Sequence, residues 1–165
     1  MNNKPVFAID PGDKFSAYAI YFPDTHAVYK ADKVSNQTMR KILIESVELY
    51  NCEYAIEMIA SYGMPVGANV FNTCVWIGQF KEVLRARKKA AYFIYRKDVK
   101  MHLCGATKGV NDAVIRRRIM DMFPQTGGGK KPVIGTKTQP GPLYGMANDM
   151  WAALAVALTY AGVDK

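Results

Sequence analysis

Three β-like runs precede the first helical pattern, and that order limits the fold more than any other feature of the chain. Val6-Phe7-Ala8-Ile9 is a short apolar run closed by the turn signal Asp10-Pro11-Gly12, so it reads as a buried strand that presents Asp10 at its end. Ser16 to Phe22 and Ala27 to Asp32, set around Pro23-Asp24-Thr25, extend it into an antiparallel meander. The period then changes. Met39, Ile42, Leu43, Val47 and Tyr50 recur at helical spacing, which predicts a helix from about Ser35 to Tyr50. Tyr54 to Ile59 is a fourth, buried strand. Phe71, Cys74, Val75, Gly78, Val83 and Leu84 suit a second helix running into the basic cluster Arg85 to Lys89. Ala91 to Tyr95 is a fifth strand, rich in β-formers, and a loop with Gly105 and Gly109 follows it.

Asn111 or Asp112 can cap a helix with Ile115, Ile119 and Met122 on one stripe, and Asn148 can cap a last helix that turns Leu154, Ala155 and Leu158 inward. Between them, Pro124 to Pro142 holds nine Gly or Pro in nineteen residues and reads as an extended loop. The order is βββαβαβα. It describes an α/β fold with a mixed five-stranded sheet, its first three strands antiparallel, flanked by helices. It excludes a doubly wound sheet of pure βα units, and no internal repeat is evident. A chain of 165 residues suits one domain, residues 1–165.

Charge narrows the function. Lys81 to Arg118 carries twelve basic and three acidic residues, a net of +9, while the rest of the chain nets −1. Positive charge concentrated in this way attracts polyanions by counterion release, although a solubilising face is the plainer alternative. No apolar run is long enough to span a membrane, and the N-terminus lacks the apolar stretch of a secretory signal. Cys52, Cys74 and Cys104 are odd in number and widely spaced, which fits a reducing cytosol rather than a disulfide framework. The expected setting is cytoplasmic, in a bacterial or phage-infected cell, and not secreted.

Three acids stand out by position. Asp10 ends the first strand, Glu57 lies inside an otherwise apolar strand, and Asp149 lies in the first turn of an apolar helix. Burying an ionised carboxylate is costly unless something compensates it, and a hard divalent cation compensates several at once. If the first and fourth strands are neighbours, Asp10 and Glu57 converge on one ion. Each acid also has an ordinary explanation: an Asx turn for Asp10, a buried Lys partner or an outward rotamer for Glu57, and a favourable helix start for Asp149.

The ordered set Ala8-Ile9-Asp10-Pro11-Gly12, Ile56-Glu57-Met58, and Asp149 ahead of Trp151-Ala152-Ala153-Leu154-Ala155-Val156-Ala157-Leu158-Thr159-Tyr160 resembles the RuvC-type Holliday junction resolvases, most of all their phage and phage-like members. The resemblance spans nearly the whole chain. It implies an RNase H-like fold, a homodimer, and Mg²⁺-dependent (or Mn²⁺-dependent) symmetric nicking of four-way DNA junctions, with no small-molecule cofactor. By the same resemblance Asp10, Glu57 and Asp149 are the catalytic metal ligands. Two departures weaken it. The family has a second acid or a histidine one turn away in the last helix, whereas Met146 and Ala152 stand three residues from Asp149. Many relatives carry a Lys where this chain has Asn111, with Lys108 or Lys100 as substitutes. The alternative is a catalytically weak or inactive junction-binding protein of the same fold. A third reading, an ATPase-like phosphotransferase built on the Asp10-Pro11-Gly12 turn, is opposed by the chain's length. Asp13 is a further candidate ligand, though it belongs more naturally to the turn.

The expected DNA contacts are Tyr62, Arg85, Lys88, Lys89, Lys97, Lys100, Lys108, Arg117, Lys130 and Lys131, in company with Arg87, Arg96, Arg116 and Arg118. Arg116-Arg117-Arg118 covers nearly a full helical turn, so about one of the three should face away from any single surface. Tyr62, in the loop after the Glu57 strand, and Phe71 are candidates to stack on an unpaired base at a branch point. Gly127-Gly128-Gly129-Lys130-Lys131 lacks the spacing of a P-loop and reads as a mobile basic loop near DNA. His102 and Cys104 have no second pair to complete a zinc site, and His26, near a turn, is expected in solvent. The helix from Val70 to Leu84 is apolar on more than one face, which points to a dimer contact.

Overall fold

The computed structural model describes residues 4–163. Its sheet has five strands, β1 (Val6–Asp10), β2 (Phe15–Phe22), β3 (Ala27–Ser35), β4 (Glu53–Met58) and β5 (Ala91–Tyr95), in the spatial order β3-β2-β1-β4-β5. The first three form the expected antiparallel meander, and β4 and β5 join it in parallel. The helices are α1 (Asn36–Leu49), α2 (Ala68–Ala86), α3 (Arg96–Cys104), α4 (Asp112–Met122) and α5 (Met150–Ala161).

Alternation along the central strands divides the core in two. Phe7, Ile9, Tyr18, Ile20, Tyr54 and Ile56 face Met39 and Leu43 of α1 and Ile77, Phe80 and Leu84 of α2. The aromatic rings here stack directly, Phe7 on Tyr18 at 5.2 Å. The opposite face carries small residues, Ala8, Ala17, Ala19 and Ala55, packed with Ala153, Ala155 and Ala157 of α5. Small side chains on both partners let the helix lie close to the sheet. Its first turn is thereby held near the ends of β1 and β4.

Four local expectations are corrected. Arg96 to Cys104 is a helix, not a loop, and three helices rather than one follow β5, so the order is βββαβαβααα. The Asp98 carboxylate accepts from the Tyr95 backbone N–H at 3.2 Å, Val99 and Leu103 are buried one turn apart, and the helix stops at Gly105 with φ 70°. Asn148 does not cap α5; it sits at φ 47°, and Asp149 occupies the cap position without a side-chain capping bond. Pro124 to Pro142 is a loop, but it folds on itself instead of running extended. Gly127 N–H donates to Pro132 at 2.8 Å, Gly141 N–H to Ile134 at 2.9 Å, and Val133 and Leu143 are buried in the core. His26 is partly buried, stacked on Phe123 at 4.3 Å, with its ring nitrogens 2.7 Å from the Tyr21 hydroxyl and 2.9 Å from the Met122 carbonyl.

Candidate active site

Strand register assembles the site. Ala17 of β2 pairs with Lys33 of β3 on one side and with Asp10 of β1 on the other. Ile9 of β1 pairs in parallel with Ile56 of β4, so the next residues along, Asp10 and Glu57, emerge side by side on the α5 face; Glu57 in turn pairs with Ile94 of β5. Lys33, Ala17, Asp10, Glu57 and Ile94 thus form one row across the sheet. The chain leaves β1 through a tight turn: Asn36 donates to the Gly12 carbonyl at 2.9 Å, and Gly12 N–H donates to Ser16 at 3.2 Å. A Cβ at Gly12 would lie 2.2 Å from the Phe15 carbonyl oxygen, so only glycine fits there.

Asp10 and Glu57 lie in a cleft of about 280 Å³, lined also by Pro11, Ala60, Tyr62 and Arg96. Burial, then the charges of Glu57 and Asp149, push the Asp10 carboxyl up to about 8 from 3.8. Burial likewise raises Glu57, against the opposing pull of Arg96 and of the hydrogen bond from Asp10. Both shifts run the same way, so each carboxyl of the pair favours its protonated form more than a free acid does. Arg96, the first residue after β5, places Nη1 3.7 Å from Glu57 Oε1, and its Nη2 pairs with Asp112. Glu57 thus has a part-buried cationic neighbour, an arginine rather than the lysine of the ordinary alternative.

Asp149 stands apart. Its side chain is 49% exposed and paired with Lys33, although it is near enough to Asp10 to raise that carboxyl. Among the described residues no three acidic, histidine or cysteine side chains are assembled as a metal site. Of the three expected acids, Asp10 and Glu57 adjoin as a part-buried pair, and Asp149 is held apart by Lys33. Two adjoining carboxylates that both favour their protonated forms mark a place short of positive charge, and this donor set fits one hard divalent cation. Asp149 completes it only by leaving Lys33. Met146 and Ala152, three residues either side of Asp149, bring no oxygen side chain, and Asp13 does not line the cleft.

The basic residues divide. Tyr62 is 68% exposed at the rim of the Asp10–Glu57 cleft. Lys97 and Lys100 follow Arg96 in α3, on the same side of the sheet as the acids. Arg116, not Arg117, approaches the site: its guanidinium lies 4.7 Å from the Trp151 ring and lines a second, smaller cleft with Arg96, Asp112 and Asp149. Arg117 lines a separate cleft with Leu103 and Asp121. Arg118 donates to the Leu103 carbonyl at 3.1 Å. Lys108, Lys130 and Lys131 line neither acidic cleft. Arg85, Lys88 and Lys89 sit where α2 ends. Lys89 donates to Asn51, just before β4, whereas Glu57 is near the other end of that strand. This basic cluster is therefore at the opposite end of the strands from the acids. Lys33 was missed because its partner lies 116 residues away, and only the strand register reveals it.

No family model matches the sequence, and no curated protein matches it. Solved structures do. A Thermus thermophilus RuvC structure superimposes with a TM-score of 0.65 at 15% identity, covering 96% of this chain and 93% of that one. T. thermophilus RuvC in complex with a Holliday junction substrate superimposes equally well, with a TM-score of 0.65 at 16% identity and the same coverage. The fold is therefore RuvC-like, of the RNase H-like class, over almost the whole chain.

Proposed function

We propose that this chain is a divalent-metal-dependent, structure-selective endonuclease that resolves four-way DNA junctions. The observation that carries the reading is the Asp10–Glu57 pair, two adjoining part-buried carboxylates lining one cleft, both pushed toward the protonated form by their burial. A structural role does not require such a pair, since an apolar pair of similar volume would cost less to bury. Asp10 and Glu57 would hold one Mg²⁺ or Mn²⁺, and Asp149 would join them on releasing Lys33. The ion, when bound, supplies Lewis-acid polarisation of the phosphoryl group and an acidified water.

The remaining roles fall to the chain's own side chains. Lys97 and Lys100 would hold backbone phosphates along α3. Tyr62 would stack on a base exposed at the branch point. Hydrolysis joins a water oxygen to phosphorus and breaks the P–O3′ bond, leaving 5′-phosphate and 3′-hydroxyl ends. Symmetric cutting of two strands calls for two sites. The outer face of α2 offers a dimer contact, with Phe71 and Val75 exposed one turn apart beside Met64 and Val66. A solution mass showing only monomer at micromolar concentrations contradicts the dimer.

One further observation favours the alternative, a junction-binding protein without catalysis: Lys33 already neutralises Asp149. Asp10→Asn separates the readings. The endonuclease loses nicking in Mg²⁺ while junction binding persists, because a metal ligand is removed and no phosphate contact is. Wild-type nicking that survives the substitution overturns the assignment of Asp10, and a wild type that binds junctions without nicking them establishes the alternative.

A further inference from the structure

We propose that Arg96 takes the place of a second metal ion, its guanidinium binding the scissile phosphate and neutralising the charge that builds on the non-bridging oxygens. The inference rests on the endonuclease reading above and adds to it the residue that completes a one-metal site.

Position is the first argument. Arg96 follows β5 directly and lines both clefts, one with Asp10 and Glu57, the other with Asp112 and Asp149. It is the one cation among the described residues that lines both. Hydrogen bonding is the second. Nη2 is tied to Asp112, whose side chain is 86% exposed, while Nη1 is buried with no hydrogen-bond partner and stands 3.7 Å from Glu57 Oε1. An unsatisfied buried donor costs about 1–3 kcal/mol, and a guanidinium offers paired donors that match two phosphate oxygens. A phosphate oxygen entering the cleft would satisfy Nη1 without breaking the tie to Asp112. Donor count is the third. Neither Met146 nor Ala152 can ligate a second cation, so a phosphate in the cleft would lack the second positive charge unless a side chain supplies it.

A purely structural Arg96 would only pin α3 and α4 to β4 through Asp112 and Glu57, and kinetics distinguishes that from a phosphate contact. Wild type, Arg96→Ala and Arg96→Gln are compared for junction affinity, single-turnover cleavage, Mg²⁺ dependence and thermal melting. The wild-type rate is expected to follow a single-site Mg²⁺ curve. Both variants are expected to melt as folded proteins, to bind junctions within about threefold of wild type, and to cleave about 100-fold more slowly, the usual loss for one transition-state donor. Added guanidinium ion at millimolar levels is expected to restore part of the rate in Arg96→Ala but not in Arg96→Gln, whose amide fills the space. Wild-type rates in either variant, or a loss that follows melting and resists guanidinium, overturn the proposal and leave the endonuclease reading intact. An intact junction with the wild-type protein removes both.

Discussion

Replacing Asp10 by Asn should stabilise the metal-free protein while abolishing its proposed activity, and the gain should grow with pH. Asp10 keeps its proton in the fold to about pH 8, whereas in the unfolded chain it ionises near 3.8. Between those values the native state binds one more proton than the unfolded state, so stability falls as pH rises, by up to about 1.4 kcal/mol per unit. From pH 5 to pH 8 the fall is at most about 4 kcal/mol, and water in an open 280 Å³ cleft brings it nearer to about 2 kcal/mol. The Asn side chain keeps a donor toward Glu57 and does not titrate, so its curve lacks this slope. Groups remote from Asp10 are common to both proteins and cancel in the difference, while Glu57, which responds to Asp10, keeps a donor beside it in both. Urea or thermal unfolding in chelator at pH 5 and pH 8 should show the advantage of Asp10→Asn widening by about 2 kcal/mol, or roughly 4–8 °C in Tm. Mg²⁺ at pH 8 should then raise the Tm of wild type and leave the variant unmoved. Parallel pH profiles for the two proteins would refute the raised Asp10 carboxyl.

Lys33→Ala releases Asp149 from its ion pair and should lower the Mn²⁺ concentration for half-maximal cleavage several-fold, with little change in Tm because the pair is half exposed. Tyr62→Ala should leave the fold unchanged and slow junction cleavage about tenfold or more, since stacking on one base contributes about 1–3 kcal/mol. The double reversal Lys97→Glu with Lys100→Glu should weaken junction binding about tenfold or more and flatten its salt dependence, while Lys88→Glu with Lys89→Glu, at the far end of the strands, should change it by less than about threefold in the same titration.

Legibility in the sequence followed the range of the interaction. Asp10 and Glu57 could be paired in advance because each ends or interrupts an apolar run, and alternation in two neighbouring strands settles which face a residue takes. The meander and most helices were readable for the same local reason. α3 escaped because only Val99 and Leu103 mark its buried side, and a nine-residue helix gives its period little room to show. Its Asp98 and Gly105 were nonetheless visible boundary signals. The basic segment misled in another way. Charges contiguous in the chain are separated in space, because α2 carries Arg85 to Lys89 to one end of the strands and β5 brings Arg96 back to the other. The ties of Lys33 to Asp149 and of Arg96 to Glu57 and Asp112 depend on strand register and helix placement, which residue patterns do not encode.

The most direct measurement is the fate of a strand-labelled four-way junction held with saturating wild-type protein in Mg²⁺ or Mn²⁺. The account expects paired nicks at symmetric positions in two opposed strands, each with a ligatable 5′-phosphate and none in chelator. A junction that is bound yet stays intact in both ions contradicts it.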